Sequence, residues 1–206
     1  AVSRVEGLSR IEELRRALSR ADASAYLVEG RVIRRVIREQ FGFARMSASI
    51  PHTESQVVAA TDVRHLTHPD ELGLTTFSSL PERCLLISQP EEGELEHWPM
   101  QELLQHVWRH LFHAQIDREL FLKCQKNLKR SDIQERIAVI GQVEFDEAHF
   151  VLRSEHRLID PDSRTEAWRE FVALYCELSR FEPDLLPIWF PSLADRAVLQ
   201  KVFQRD

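Results

Sequence analysis

Apolar residues along the chain recur with a helical period at both ends and cluster into short runs between them. From Ser3 to Arg20, Val5, Leu8, Ile11, Leu14 and Leu18 recur at steps of three and four, which predicts a helix with one buried face. Ser9 and Glu12 have the spacing of a capping box. A second helix is predicted from about Ala25 to Gln40, with Gly42 as its stop. It is the most strongly two-sided segment of the chain. Val32, Ile33, Val36 and Ile37 share one side, and Arg31, Arg34, Arg35 and Arg38 share the other.

Between Ala44 and Pro90 the helical period lapses. Gln56–Ala60 and Arg83–Ser88 are short apolar runs that read as buried strands, and Thr61–Leu72 reads as a short helix ended by Gly73. Strands flanking a helix predict a small parallel or mixed sheet, and so small a sheet needs helices to cover it. Pro90–His97, with Glu91, Glu92, Glu94 and Glu96, reads as an acidic loop. From there the chain turns helical again. Pro99 opens a helix to about Leu122, and Ser131-Asp-Ile-Gln134 opens one predicted to continue through Gly141 to His156. Ser163 with Glu166 caps a helix reaching Phe181, and Ser192–Phe203 makes a last one. The expected fold is mainly α (α+β), a compact bundle of about six helices with a small two- or three-stranded sheet in the N-terminal half. No linker-like stretch appears, so residues 1–206 are expected to form one domain. Within it, 1–98 carry the basic helices and the sheet, and 99–206 the helical part.

Composition adds exclusions. With 43% hydrophobic residues the chain has enough apolar mass for a core, and no run approaches the roughly 20 apolar residues of a membrane span. The net charge of −6 disfavours a coat for nucleic acid. Charge is uneven, however: residues 1–50 hold ten arginines against six acids, a net of +4, and the remainder carries −10. Three scattered cysteines, Cys84, Cys124 and Cys176, form no CxxC pair and point to a reducing, cytoplasmic setting. The chain starts without Met or an apolar signal core, so a piece of a larger intracellular protein is expected.

Three constellations carry candidate chemistry. His106, His110, His113 and Asp117 fall within about 60° of one another on a helical wheel, opposite Met100, Leu104, Val107, Trp108 and Leu111. Imidazoles three or four residues apart can clamp a divalent metal, but the stripe spans roughly 16 Å, so other ligands must come from a second element. If the 132–156 helix is continuous, Glu144 and Glu147 fall inside its apolar stripe of Ile133, Ile137, Ile140, Ala148 and Val151. Carboxylates there need a partner or a metal. Neither HExxH nor the Glu-x-x-His repeat of di-iron bundles is present. The Arg31/Arg34/Arg35/Arg38 stripe suits carboxylates or phosphates, although no aromatics interleave it for base stacking. Pro187-Ile-Trp-Phe-Pro191 brackets Trp189 and Phe190 in a segment that either docks on the domain or protrudes as an anchor for a partner. GxSxG, P-loop and GxGxxG motifs are absent.

The expected function is a non-catalytic protein-interaction or scaffold domain with a protein partner and no membrane. The alternative is a metal-dependent enzyme or metal-binding helical protein using His106, His110, His113, Glu144 and Glu147. Nucleic-acid or phosphate binding through the arginine helix ranks third.

Overall fold

The structure, a computed structural model, describes residues 2–42, 54–193 and 196–203. It is mainly helical with a small mixed sheet in the N-terminal half, and the described residues hold ten α-helices rather than about six. They fall into two compact units, residues 2–42 with 54–114, and residues 115–193 with 196–203.

In the first unit the order is α1 (Val2–Ala21), β1 (Ala25–Val28), α2 (Gly30–Phe41), β2 (Ser55–Ala59), α3 (Ala60–Leu66), a 3₁₀ turn (Pro69–Leu72), β3 (Arg83–Ser88), α4 (Glu92–His97) and α5 (Met100–Lys126) up to Ala114. The sheet order is β1-β3-β2, with β1 parallel and β2 antiparallel to the central strand. Strand β3 is the hub. Cys84, Leu85, Leu86 and Ile87 are all buried, as expected of a strand covered on both faces. Ala25 and Leu27 pair with Leu85 and Ile87, and this face packs with Leu14 and Leu18 of α1 and Leu103, Val107 and Leu111 of α5. Helices α2 and α3 also pack against β3.

Several boundaries move from their predicted places. Ala25–Val28 is a strand rather than the first turn of a helix, because these residues complete the sheet along Leu85–Ser88. The predicted helix over 61–72 ends at Leu66 and resumes as the 3₁₀ turn, which Gly73 closes in the left-handed region at φ 70°. The guanidinium of Arg15 lies against Gly73, where a Cβ would come within 3.1 Å of it. The acidic stretch is helix α4, started by Glu94 accepting from the Glu91 N–H at 2.7 Å. Arg10 donates to the carbonyls of Leu95 and Trp98, at the electronegative end of α4. Ser9 is interior to α1 and caps nothing.

The second unit continues from Gln115 through the rest of α5, then α6 (Arg130–Ile140), α7 (Gln142–Ser154), α8 (Arg164–Phe181), a 3₁₀ turn (Pro183–Leu185), α9 (Leu186–Trp189) and α10 (Arg196–Phe203). Helix α8 lies at its centre. Trp168, Phe171 and Tyr175 meet Phe145, Phe190 and Phe203 at ring-centroid distances of 5.3–6.3 Å. Ser163 accepts from the Glu166 N–H at 3.2 Å, as the capping pattern predicts, but the Glu166 carboxylate turns back to the N–H groups of Ile159 and Asp160. Helix α6 begins two residues before Ser131–Gln134 implies, with Asp132 accepting from the Lys129 N–H at 2.8 Å.

The predicted helix over 132–156 is two helices. Gly141 sits at φ 118°, a conformation L side chains rarely adopt, and it breaks the helical run between Ile140 and Gln142. The wheel that placed Glu144 and Glu147 on one apolar stripe therefore does not apply across the joint. Gly141→Ala is expected to cost about 1–3 kcal/mol through backbone strain at this joint. Its urea midpoint should fall with no change in slope. An unchanged midpoint would show that the joint tolerates a side chain.

Two glutamates give opposite acid responses. Burial would raise the Glu71 carboxyl, but the Arg35 guanidinium at 2.6 Å and the His68 N–H outweigh it and hold it below the usual range. The contribution of Glu71 is thus present above about pH 4.5 and lost as pH falls through its lowered folded value. Burial raises the Glu166 carboxyl, against the pull of the Ile159 and Asp160 N–H groups. Its contribution is complete below about pH 4.5 and lost as pH rises through the raised value. Glu71→Gln should therefore destabilise at pH 7 by about 1–3 kcal/mol, with the deficit shrinking at pH 3. Glu166→Gln should gain stability relative to wild type between pH 4 and pH 7. Urea unfolding of both variants across this range checks the two signs.

Candidate functional site

Helix α5 starts after Pro99 and carries the histidine stripe, His106, His110 and His113 in the first unit and Asp117 in the second. The stripe is not a solvated polar face. His110 is 3% exposed and His113 6% exposed, while His106 is half-buried. Buried imidazoles must have their nitrogens satisfied, and the arrangement around His110 shows how. Its Nδ1 lies 3.0 Å from Glu54 Oε2 and its Nε2 lies 3.2 Å from His106 Nε2. An ionised carboxylate only accepts, so the proton on Nδ1 is donated to Glu54. When the His110 ring is neutral, its Nε2 carries the lone pair and accepts from His106 Nε2–H. The two rings stand nearly perpendicular, and Trp98 meets the edge of His106 at 5.8 Å between centroids.

Glu54 is held by the sheet. Its carbonyl accepts from Ser88 N–H at 2.8 Å, which anchors it just ahead of β2 beside the end of β3. The sequence holds no local signal for this partnership. Glu54 lies far from α5 along the chain, and only the β2–β3 register brings it to α5.

Glu144 and Glu147 belong to the second unit, and both are half-buried rather than sunk in a core. The Glu144 carboxylate folds over Gly141 at the start of α7, where a negative group suits the helix dipole. Glu147 accepts from the Ser192 hydroxyl. Asp117, the last member of the stripe, forms an ion pair with Arg169, whose Nη2 lies 2.6 and 2.7 Å from its two oxygens. Among the described residues no group of three or more His, Cys, Asp or Glu side chains is placed to hold a metal ion.

Of the arginine stripe on α2, Arg35 is turned to internal use. Arg35 donates from Nε to the Leu66 carbonyl at 2.8 Å and from Nη2 to Glu71, tying α2 to the segment after α3. Arg31 pairs with Glu29 at 2.5 Å on the surface, and Arg38 reaches Glu39 at 3.4 Å. Arg34 is exposed and lies over Gly30. Of the aromatic anchor segment, Phe190 is 3% exposed and built into the second core, and Trp189 packs beside it with the Arg157 guanidinium 6.0 Å from its ring. Ile188, at 72% exposure, and the flanking Pro187 and Pro191 stand at the surface.

The Cys84 and Cys176 thiols are not poised as nucleophiles. Burial pushes Cys84 and Cys176 up to about 11, so both stay protonated at neutral pH. No described helix is long and apolar enough to cross a membrane. The large exposed apolar side chains lie mainly in the second unit. Val139 is 54% exposed, Val143 76% and Phe150 69%. No protein-family model, curated protein or solved structure matches this chain.

Proposed function

We propose that this chain is a non-catalytic protein-interaction module of a cytoplasmic protein, and that it docks through the exposed side of α7. The observation that carries this reading is that α7 is apolar on two sides. Phe145, Ala148 and Leu152 face the core of the second unit and are buried. Val143 and Phe150, two turns apart and so on one side of the helix, stand in solvent. Val139 adds to them from the last turn of α6, on the other side of the Gly141 joint.

A surface helix needs only one apolar stripe to join its own core, and a second stripe marks a contact with something else. Burying a Val or Phe side chain contributes about 1.5–3 kcal/mol, so these three residues supply a core for an interface. The buried, protonated thiols and the absence of any complete catalytic motif also favour binding over chemistry.

A photocrosslinking benzoylphenylalanine placed at position 150 of this chain, expressed in cells, tests the proposed surface. A discrete adduct is expected, and it should vanish when Val143→Glu is added. Because both positions are exposed, the substituted chain should keep its stability within about 0.5 kcal/mol of wild type. No adduct, or an adduct that Val143→Glu leaves unchanged, would remove the proposed surface. An adduct consisting of two copies of this chain would identify the occupant as a second copy.

A further inference from the structure

We infer that His106 and His110 form a two-imidazole clamp for a divalent late transition metal ion, with Glu54 as the residue that orients His110. The inference is independent of the docking surface on α7, which lies in the other unit.

Residues four apart on α5 present their side chains one above the other, and the Nε2 atoms of these two rings converge to 3.2 Å. Two nitrogens bound to one tetrahedral zinc, each at 2.0–2.1 Å, stand about 3.3–3.4 Å apart. The spacing of the pair is therefore nearly that of a bound pair. The ring centroids are 4.3 Å apart. A small outward swing of the half-buried His106 ring aims both lone pairs at one point.

Glu54 supplies what a surface histidine pair lacks. A histidine that binds metal through Nε2 commonly donates its Nδ1–H to a carboxylate, which fixes the tautomer and makes the ligating nitrogen more basic. His110 already has this partner at 3.0 Å, and its side chain is 4% exposed, so it is held in the ligating tautomer before any metal arrives. His106 needs one change. Its proton moves from Nε2 to Nδ1, which frees the Nε2 lone pair without altering the charge of the ring. The ion then replaces the hydrogen bond and sits off the line between the two nitrogens, about 2.0–2.1 Å from each.

Two imidazoles fill two coordination positions. The remainder go to water or to an external ligand, in keeping with the lack of a third His, Cys, Asp or Glu donor among the described residues. Imidazole ligands suit Cu²⁺, Zn²⁺ and Ni²⁺ and do not suit Mg²⁺. For such an open nitrogen site the order of affinity is Cu²⁺ above both Ni²⁺ and Zn²⁺.

The experiment titrates the full chain, without a histidine tag and stripped by chelator, with Cu²⁺, Zn²⁺ and Mg²⁺ separately. Calorimetry is expected to show one equivalent of Cu²⁺ and of Zn²⁺, Cu²⁺ the tighter, and no binding of Mg²⁺. The Cu²⁺ electron paramagnetic resonance spectrum should carry coupling to two imidazole nitrogens. His106→Ala, at a half-buried position, should weaken Cu²⁺ binding at least tenfold and reduce the pattern to one nitrogen, with unchanged circular dichroism. Glu54→Ala should weaken it about tenfold while keeping both nitrogens, the signature of an orienting residue rather than a ligand. Less than 0.1 equivalent of bound Cu²⁺, or Cu²⁺ affinity and nitrogen count unchanged in His106→Ala, would overturn the clamp. If His106→Ala does not fold, Glu54→Ala decides, and Cu²⁺ affinity unchanged in that variant overturns the role given to Glu54.

Discussion

The first unit is governed by the need to cover β3 on both faces. Four consecutive residues of that strand, Cys84 to Ile87, are withdrawn from water, and a three-stranded sheet cannot bury both sides of its own central strand. Helices α1 and α5 close one face and helices α2 and α3 the other. The rest of the unit follows from this requirement. The apolar side of α2 turns to β3, which leaves its arginines on the outer side. The pairing of β2 with β3 fixes where Glu54 stands, because the Ser88 N–H that begins the next step of the ladder is donated to the Glu54 carbonyl.

That placement explains how α5 can bury His110. An imidazole sunk in a protein interior costs free energy unless its nitrogens are hydrogen-bonded. His110 escapes this cost by handing one proton to a carboxylate and sharing another with His106. The stripe lies opposite Met100, Leu104 and Leu111, and on a helix with one buried face it would stand in solvent. The helix is buried over much of its circumference, with Leu103, Val107, His110, Leu111, His113 and Ala114 all inaccessible. A wheel shows which residues share a side, and it does not show how many sides are covered.

What was legible in the chain was the set of elements that local chemistry dictates. The apolar run Arg83–Ser88, the two-sided α2 and the Ser163 cap of α8 were all readable, because each depends on residues within a few positions of one another. What was not legible depended on distant partners or on one backbone angle. Ala25–Val28 reads equally well as a helical turn until β3 is there to pair with it. Gly141 was visible, but whether a glycine interrupts a helix depends on its φ, and the positive value found here undid the stripe that joined Glu144 and Glu147 to the isoleucines. The carboxylate that the histidines engage was missed for the same reason, since Glu54 has no helical spacing to betray it.

The charge asymmetry also has a structural resolution. A net of +4 in the first 50 residues suggested a cationic face for phosphates or an acidic partner. Three described arginines of this stretch, Arg10, Arg15 and Arg35, are instead turned onto their own unit. Arg10 takes the terminal carbonyls of α4, Arg15 lies over the left-handed Gly73, and Arg35 spans the Leu66 carbonyl and Glu71. A guanidinium whose donors are fixed in this way is held by geometry and has lost much of its hydration, so recruiting it to an external phosphate would first cost the contacts it already makes. Arg34 and Arg31 remain at the surface, and Arg31 is matched by Glu29 two residues away. Part of the positive charge of the N-terminal segment, that of Arg10 and Arg35, therefore ties helices to turns. For this reason the apolar outer side of α7, whose residues have no such internal partners, is the better place to look for a partner.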